Sequence, residues 1–95
     1  MPSAKAEEMV VEIANILKKR REDLNVPLNQ LSKVSDLDRP ALKRAEEGER
    51  IPALGFWIDW ADSLGLSLEE VALQARKKVK KKAGAPPERR RLTGD

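Results

Sequence analysis

Apolar residues recur at steps of three and four residues along most of this sequence, and nowhere do they alternate with a period of two over a useful length. This spacing places them on one face of an α-helix, because a helix turns once in about 3.6 residues. A half-buried β-strand would need the alternating pattern instead. The spacing therefore predicts an all-α chain, and 95 residues are enough for one compact domain.

The residues that interrupt the apolar pattern set the limits of the first three helices. The first spans about residues 5–24 and ends before Pro27, because proline disfavours helical geometry in the residue that precedes it. A short second helix at about 28–35 and a third at about 39–47 follow, with Asp38 as the expected N-cap of the third. A tight turn separates the second helix from the third, so the sequence predicts a helix-turn-helix pair here.

Two further helices complete the expected five-helix fold. The fourth opens at Pro52, ends at Gly65 and carries a row of apolar residues on one face: Trp57, Trp60, Ala61 and Leu64. We expect both tryptophans in the core. The fifth begins at Ser67, which together with Glu70 resembles a capping box. Aromatic residues make up only 3% of the chain, so the rest of the core is expected to be aliphatic.

Charge divides the chain into an acidic body and a basic end. Residues 1–75 carry 10 Lys and Arg against 14 Asp and Glu, whereas residues 76–95 carry 9 against 2. The regular spacing of apolar residues ends at Arg76. Beyond it, little apolar surface remains to offset the entropy lost when so densely charged a segment becomes ordered. We therefore expect a helical domain at 1–75 and a basic tail at 76–95, with a fraying helix end at 76–82 and disorder at 83–95.

Composition excludes several kinds of function. The sequence has neither cysteine nor histidine, which removes disulfides, thiol catalysis, structural zinc and imidazole-based mechanisms. It also has no glycine-rich phosphate loop, so we expect no enzyme, no cofactor and no metal. No apolar run approaches the roughly 20 residues of a membrane helix, and Met1–Lys5 leads into acidic residues rather than a signal sequence. These features predict a soluble, cytoplasmic protein.

The third helix is expected to show cations on its outer side. Steps of about 100° per residue separate its charged residues from its small ones. The outer side has Arg39, Pro40, Lys43 and Arg44, and the inner side has Ala41, Leu42 and Ala45. A short helix that offers Arg and Lys outward from a rigid support fits the major groove of DNA. The alternative is a solvated charged face with no partner.

The order of these features resembles the Cro/repressor-type (XRE) helix-turn-helix family. The resemblance covers about residues 10–75 and rests on elements spread along that range: Arg21, Val26, Leu31-Ser32, Leu37-Asp38, Leu42, Glu46-Glu47-Gly48, Pro52 and the stretch 60–66. It implies five packed helices and binding to double-stranded DNA, usually as a two-fold dimer. It also implies transcriptional repression as the most common role.

The resemblance implies roles for individual residues as well. Four residues are aligned with contacts to base edges: Arg39, Pro40, Lys43 and Arg44. Two more, Asn29 and Arg50, are aligned with contacts to phosphates. Arg21 and Glu46 match a pair that bridges the first and third helices, which we interpret as structural. Two departures stand out: Leu28 replaces the glutamine that commonly holds a phosphate, and Pro40 can offer a base only apolar contact.

Some alternatives stay open at the level of sequence. On the fourth helix, Phe56 is expected to lie away from the tryptophan face and to form a dimer patch with Leu54 and Ile58. The acids Glu47 and Glu49 near the expected DNA face favour a protein-interaction module, such as an antitoxin or adaptor, that keeps the helix-turn-helix as scaffold. A third hypothesis is an RNA-associated or bridging factor that works mainly through the basic tail.

Overall fold

A computed structural model of the chain describes residues 3–83, and these fold into five α-helices with no strand among them. The helices are α1 (Ala4–Asp23), α2 (Leu28–Ser35), α3 (Arg39–Glu46), α4 (Leu54–Ser63) and α5 (Leu68–Ala83). The all-α prediction is confirmed, and except at the end of α5 the observed limits lie close to the expected ones. Within this range, no helix has the length and apolarity that a bilayer span requires.

Local signals at the ends of α3 act as the sequence predicts. The Asp38 carboxylate caps the helix, accepting a hydrogen bond from the Ala41 N–H at 3.1 Å. Gly48 follows the helix with a φ of 77°, in the left-handed region that favours glycine. In the turn before α3, Asp36 has a φ of 61°, a conformation that aspartate accepts better than most residues. Both ends of α3 are therefore fixed by the local sequence.

The core is centred on Trp60 and on aliphatic side chains from the surrounding helices. The largest fully buried side chains are Trp60, Leu17, Leu31, Leu42 and Val71. Trp57 stacks on Trp60 with ring centroids 5.2 Å apart, and its Nε1 donates to the Pro52 carbonyl at 3.1 Å. The prediction that both tryptophans lie in the core is confirmed.

The end of α5 departs from the sequence expectation. The helix runs through Ala83, and Val79, only 8% exposed, extends the buried row of Val71 and Ala75 by one more turn. Val79 packs beside the N-terminal half of α1, where it lines a cleft of about 370 Å³ together with Val11. The structure is helical over the segment 76–82, where the sequence predicts a fraying helix end, and the buried Val79 packs this part of α5 against α1. The expectation of disorder beyond Ala83 falls outside the described residues.

A pair of truncations tests this packing. We expect Val79→Ala to lower the free energy of unfolding by about 1 kcal/mol, because it removes buried methyl groups from the contact with α1. Leu73→Ala removes a larger side chain, but Leu73 is 57% exposed, so its effect should stay within about 0.5 kcal/mol. Urea unfolding of both variants measures the difference. A larger loss for the Leu73 variant would contradict the described packing of α5.

Candidate nucleic-acid interface

The outer face of α3 carries the residues expected to contact bases. Four of its residues are exposed to solvent: Arg39, Pro40, Lys43 and Arg44. Four others are buried: Ala41, Leu42, Ala45 and Glu46. Pro40 lies in the first turn, where its missing amide proton removes no intrahelical hydrogen bond. The helix therefore has the cationic and the apolar faces that its sequence predicts.

Lys43 differs from the two arginines because it has a partner on its own helix. Its Nζ donates to Glu47 Oε2 at 2.7 Å. This hydrogen bond raises the pKa of Lys43 and lowers the pKa of the Glu47 carboxyl. Arg39 and Arg44 form no ion pair or side-chain hydrogen bond within residues 3–83. Sequence reasoning missed the Lys43–Glu47 pair, although its spacing of four residues is the signal that could have indicated it.

The residues expected at phosphates lie on the segments that flank α3. Asn29 is exposed in the first turn of α2, and Arg50 is exposed between α3 and α4. Leu28 packs partly buried against the core, so it supports the start of α2 and offers no polar group. Pro27, at the N-cap of α2, makes no side-chain capping hydrogen bond. The first amides of α2 are therefore left without a capping side chain.

A buried ion pair joins α3 to α1. Arg21 Nε donates to Glu46 Oε2 at 2.7 Å and Nη2 donates to Oε1 at 3.0 Å, while Nη1 donates to the Val26 carbonyl at 2.8 Å. The side chains are only 13% and 3% exposed, and the hydrogen bond to Glu46 raises the pKa of Arg21. The pair expected between the first and third helices is thus present, with the two-point geometry that matches guanidinium to carboxylate.

Hydroxyl groups fix the turn between α2 and α3. Ser32 donates to the Leu37 carbonyl, and Ser35 donates to the Leu31 carbonyl at 2.7 Å. The Ser35 oxygen also accepts from the Leu37 N–H at 3.3 Å. Two of these contacts tie the turn residue Leu37 to the end of α2. Sequence reasoning did not assign a role to either serine, because short polar residues beside a turn are common whether or not they bond across it.

The apolar patch expected on α4 is present only in part. Leu54 is 66% exposed and Ile58 is 42% exposed, and Ile51, just before the helix, is 49% exposed. The expectation that Phe56 lies away from the tryptophan face is wrong: its partly buried ring packs edge-on against Trp60, with centroids 6.2 Å apart. The physical reason is helical spacing, because residues four apart lie on the same side of a helix.

Comparisons with known proteins agree with this geometry. A family model described as "Helix-turn-helix" matches residues 17–71. Among solved structures, the clp gene regulator ClgR from Corynebacterium glutamicum is similar, with a TM-score of 0.70 and 21% sequence identity, over 79% of this chain and 80% of that chain. At this identity the likeness shows a shared fold. A search of the curated proteins found no match.

Removing the buried carboxylate tests the link between α1 and α3. We expect Glu46→Ala to lower the free energy of unfolding by about 3 kcal/mol, because the Arg21 guanidinium is left buried without its partner. The matched control is Asp23→Ala, which breaks the exposed Lys19–Asp23 pair and should cost less than about 1 kcal/mol. Thermal and urea unfolding measure both changes. Equal losses would show that burial of the Arg21–Glu46 pair contributes nothing.

Proposed function

The chain belongs to the XRE-type helix-turn-helix family of DNA-binding transcription regulators, and from this premise we propose that it is a dimeric repressor that reads duplex DNA with α3 in the major groove. The outer face of α3 carries the proposal, because Arg39 and Arg44 are exposed there and have no partner within the described chain. An arginine paired in two-point fashion with guanine contributes about 1–3 kcal/mol of discrimination between bases. This function requires binding and no chemical step.

The position of each predicted residue supports this docking. Arg39 is the first residue of α3 and lies at the end that enters the groove in helix-turn-helix proteins, and Pro40 beside it offers apolar contact to a thymine methyl. Asn29 and Arg50 flank the helix at positions suited to the two DNA backbones. The uncapped amides at the start of α2 can take a phosphate, since a helix N-terminus attracts anions. They compensate for the polar group that Leu28 lacks.

The exposed apolar residues of α4 support a second copy as partner. Leu54 and Ile58 are four residues apart on one face, and Ile51 extends that face toward the loop after α3. Clustered exposed apolar residues commonly mark protein interfaces. A two-fold dimer through this face would double the base contacts and place the two copies of α3 about one helical turn of DNA, roughly 34 Å, apart.

We propose that the basic end of the chain attracts DNA at long range and makes no base contacts. Val79 lies beside Val11 in the N-terminal half of α1, whereas Glu46 of α3 is held by Arg21 near the other end of α1. At about 1.5 Å per residue, these two points are roughly 15 Å apart along α1. We therefore assign the basic residues 76–95 to non-specific attraction to DNA rather than to base contacts, and each phosphate that they neutralise should add about 0.9 to the slope of log affinity against log salt concentration.

Selection from random duplexes tests the function, and one substitution tests the base contacts. We expect the full chain to enrich an inverted repeat, and Arg44→Ala to lose about 1–3 kcal/mol of preference at one base position in each half-site. Lys77→Ala is the matched control, because it removes the same charge from an exposed position on α5 and should leave the motif unchanged. No enriched motif would instead favour the protein-interaction module, which the acidic Glu47 and Glu49 beside α3 also suit.

The dimer surface has its own test. Leu54→Glu places like charges across the proposed two-fold axis, so we expect it to convert a dimer into a monomer in sedimentation equilibrium. Leu73→Glu introduces the same charge at a residue that is also more than half exposed, on α5, and should leave the dimer intact. A wild-type chain that stays monomeric at micromolar concentrations, or a dimer that Leu54→Glu leaves unchanged, would contradict this surface.

A further inference from the structure

Glu47 follows α3 at its C-terminal end and pairs with Lys43 one turn earlier, with 2.7 Å between Nζ and Oε2. Helix stability does not account for an acid at this place. Negative charge near the C-terminus of a helix is unfavourable, because the helix dipole places partial negative charge there. The order Lys before Glu is also the less favourable one for such a pair.

The charges that face Glu47 come from two helices and a loop. The hydrogen bond from Lys43 of α3 lowers the pKa of the Glu47 carboxyl, and a side-chain hydrogen bond with Glu49 and the charge of Lys18 of α1 lower it further. Arg39, Lys43 and Glu47 are spaced four residues apart, so they follow one edge of α3. Along that edge, Arg39 forms no ion pair within residues 3–83, whereas Lys43 is held by Glu47.

Resting on the proposed docking of α3, we infer that Glu47 is a specificity-determining residue, which holds Lys43 back from DNA phosphates and so weakens non-specific binding more than specific binding. On arbitrary DNA, Lys43 gains a phosphate contact only by leaving Glu47, and the carboxylate that remains repels the backbone. At the preferred site, guanine O6 and N7 offer Lys43 acceptors that compensate for the lost pair. The acid therefore lowers affinity overall and raises the ratio between specific and non-specific affinity.

Measurements on two duplexes with four proteins test this inference. The duplexes are the selected site and a scrambled one, and the proteins are wild type, Glu47→Gln, Lys43→Ala and the double variant. We expect Glu47→Gln to raise affinity for the scrambled duplex roughly two- to fivefold, the range for an exposed ion pair, and affinity for the selected site by less. The gain should shrink when Lys43 is already Ala. If Glu47→Gln raised affinity equally with and without the Lys43 side chain, the inference would be overturned. Such a result would mean that Glu47 acts only by repelling DNA phosphates.

Glu49→Gln is the comparison variant for charge. It removes the same charge two residues away, from an exposed side chain that forms no ion pair with Lys43 within residues 3–83, although its charge acts on both Lys43 and Glu47. We expect the ratio of specific to non-specific affinity to fall for Glu47→Gln and to fall less for Glu49→Gln. A ratio that Glu47→Gln leaves unchanged, while wild type still selects a motif, refutes the inference and spares the proposed function. A wild type that selects no motif refutes the proposed function itself.

Discussion

The buried pairing of Arg21 with Glu46 is the interaction on which the position of α3 depends. With 8 residues, α3 is too short to be stable in isolation, and its inner face buries two alanines and one leucine beside Glu46. A buried carboxylate destabilises a protein unless it is fully paired. Arg21 supplies two hydrogen bonds to that carboxylate and a third to the Val26 carbonyl. One guanidinium thus joins α1, α3 and the loop before α2, and this fixes the direction in which the cationic face of α3 points.

Arg20, the residue before Arg21, links α1 to the end of α4, as Arg21 links α1 to α3. Arg20 Nε donates to the Leu64 carbonyl at 3.0 Å, at the C-terminal end of α4. At the other end of α4, the Trp57 indole donates to the Pro52 carbonyl and so holds the loop that carries Arg50 and Ile51. Trp60 stacks on Trp57 but its own Nε1 has no hydrogen-bond partner within the described residues, and such a group costs about 1–3 kcal/mol. Burial of the large apolar surface of the Trp60 side chain offsets that cost.

The sequence predicted the number and the limits of the helices, which depend on local pattern, but it gave the contacts of individual side chains less completely. The limits of α2 follow from Pro27 and from the turn at Asp36, and both are visible in the sequence. The burial of Val79 was not predicted, because it stands among cations in the sequence and its packing depends on the cleft that α1 provides. The position of Phe56 was within reach, since it lies four residues before Trp60. The Lys43–Glu47 pair was within reach as well, since its spacing of four residues is visible in the sequence.

The acidic body of the domain works together with the local placement of its cations. Residues 1–75 hold 14 acidic against 10 basic side chains, so the net charge of this part of the chain disfavours binding to a polyanion, and any attraction there depends on local groups of cations. Within residues 3–83, Arg39 and Arg44 lie exposed on α3 and form no ion pair, so the proposed docking brings two arginines to the major groove. In that proposal, the basic residues from Arg76 onward add attraction at long range. Repulsion from the acidic residues would then favour an approach through the α3 face, and the arginines of α3 would select the sequence.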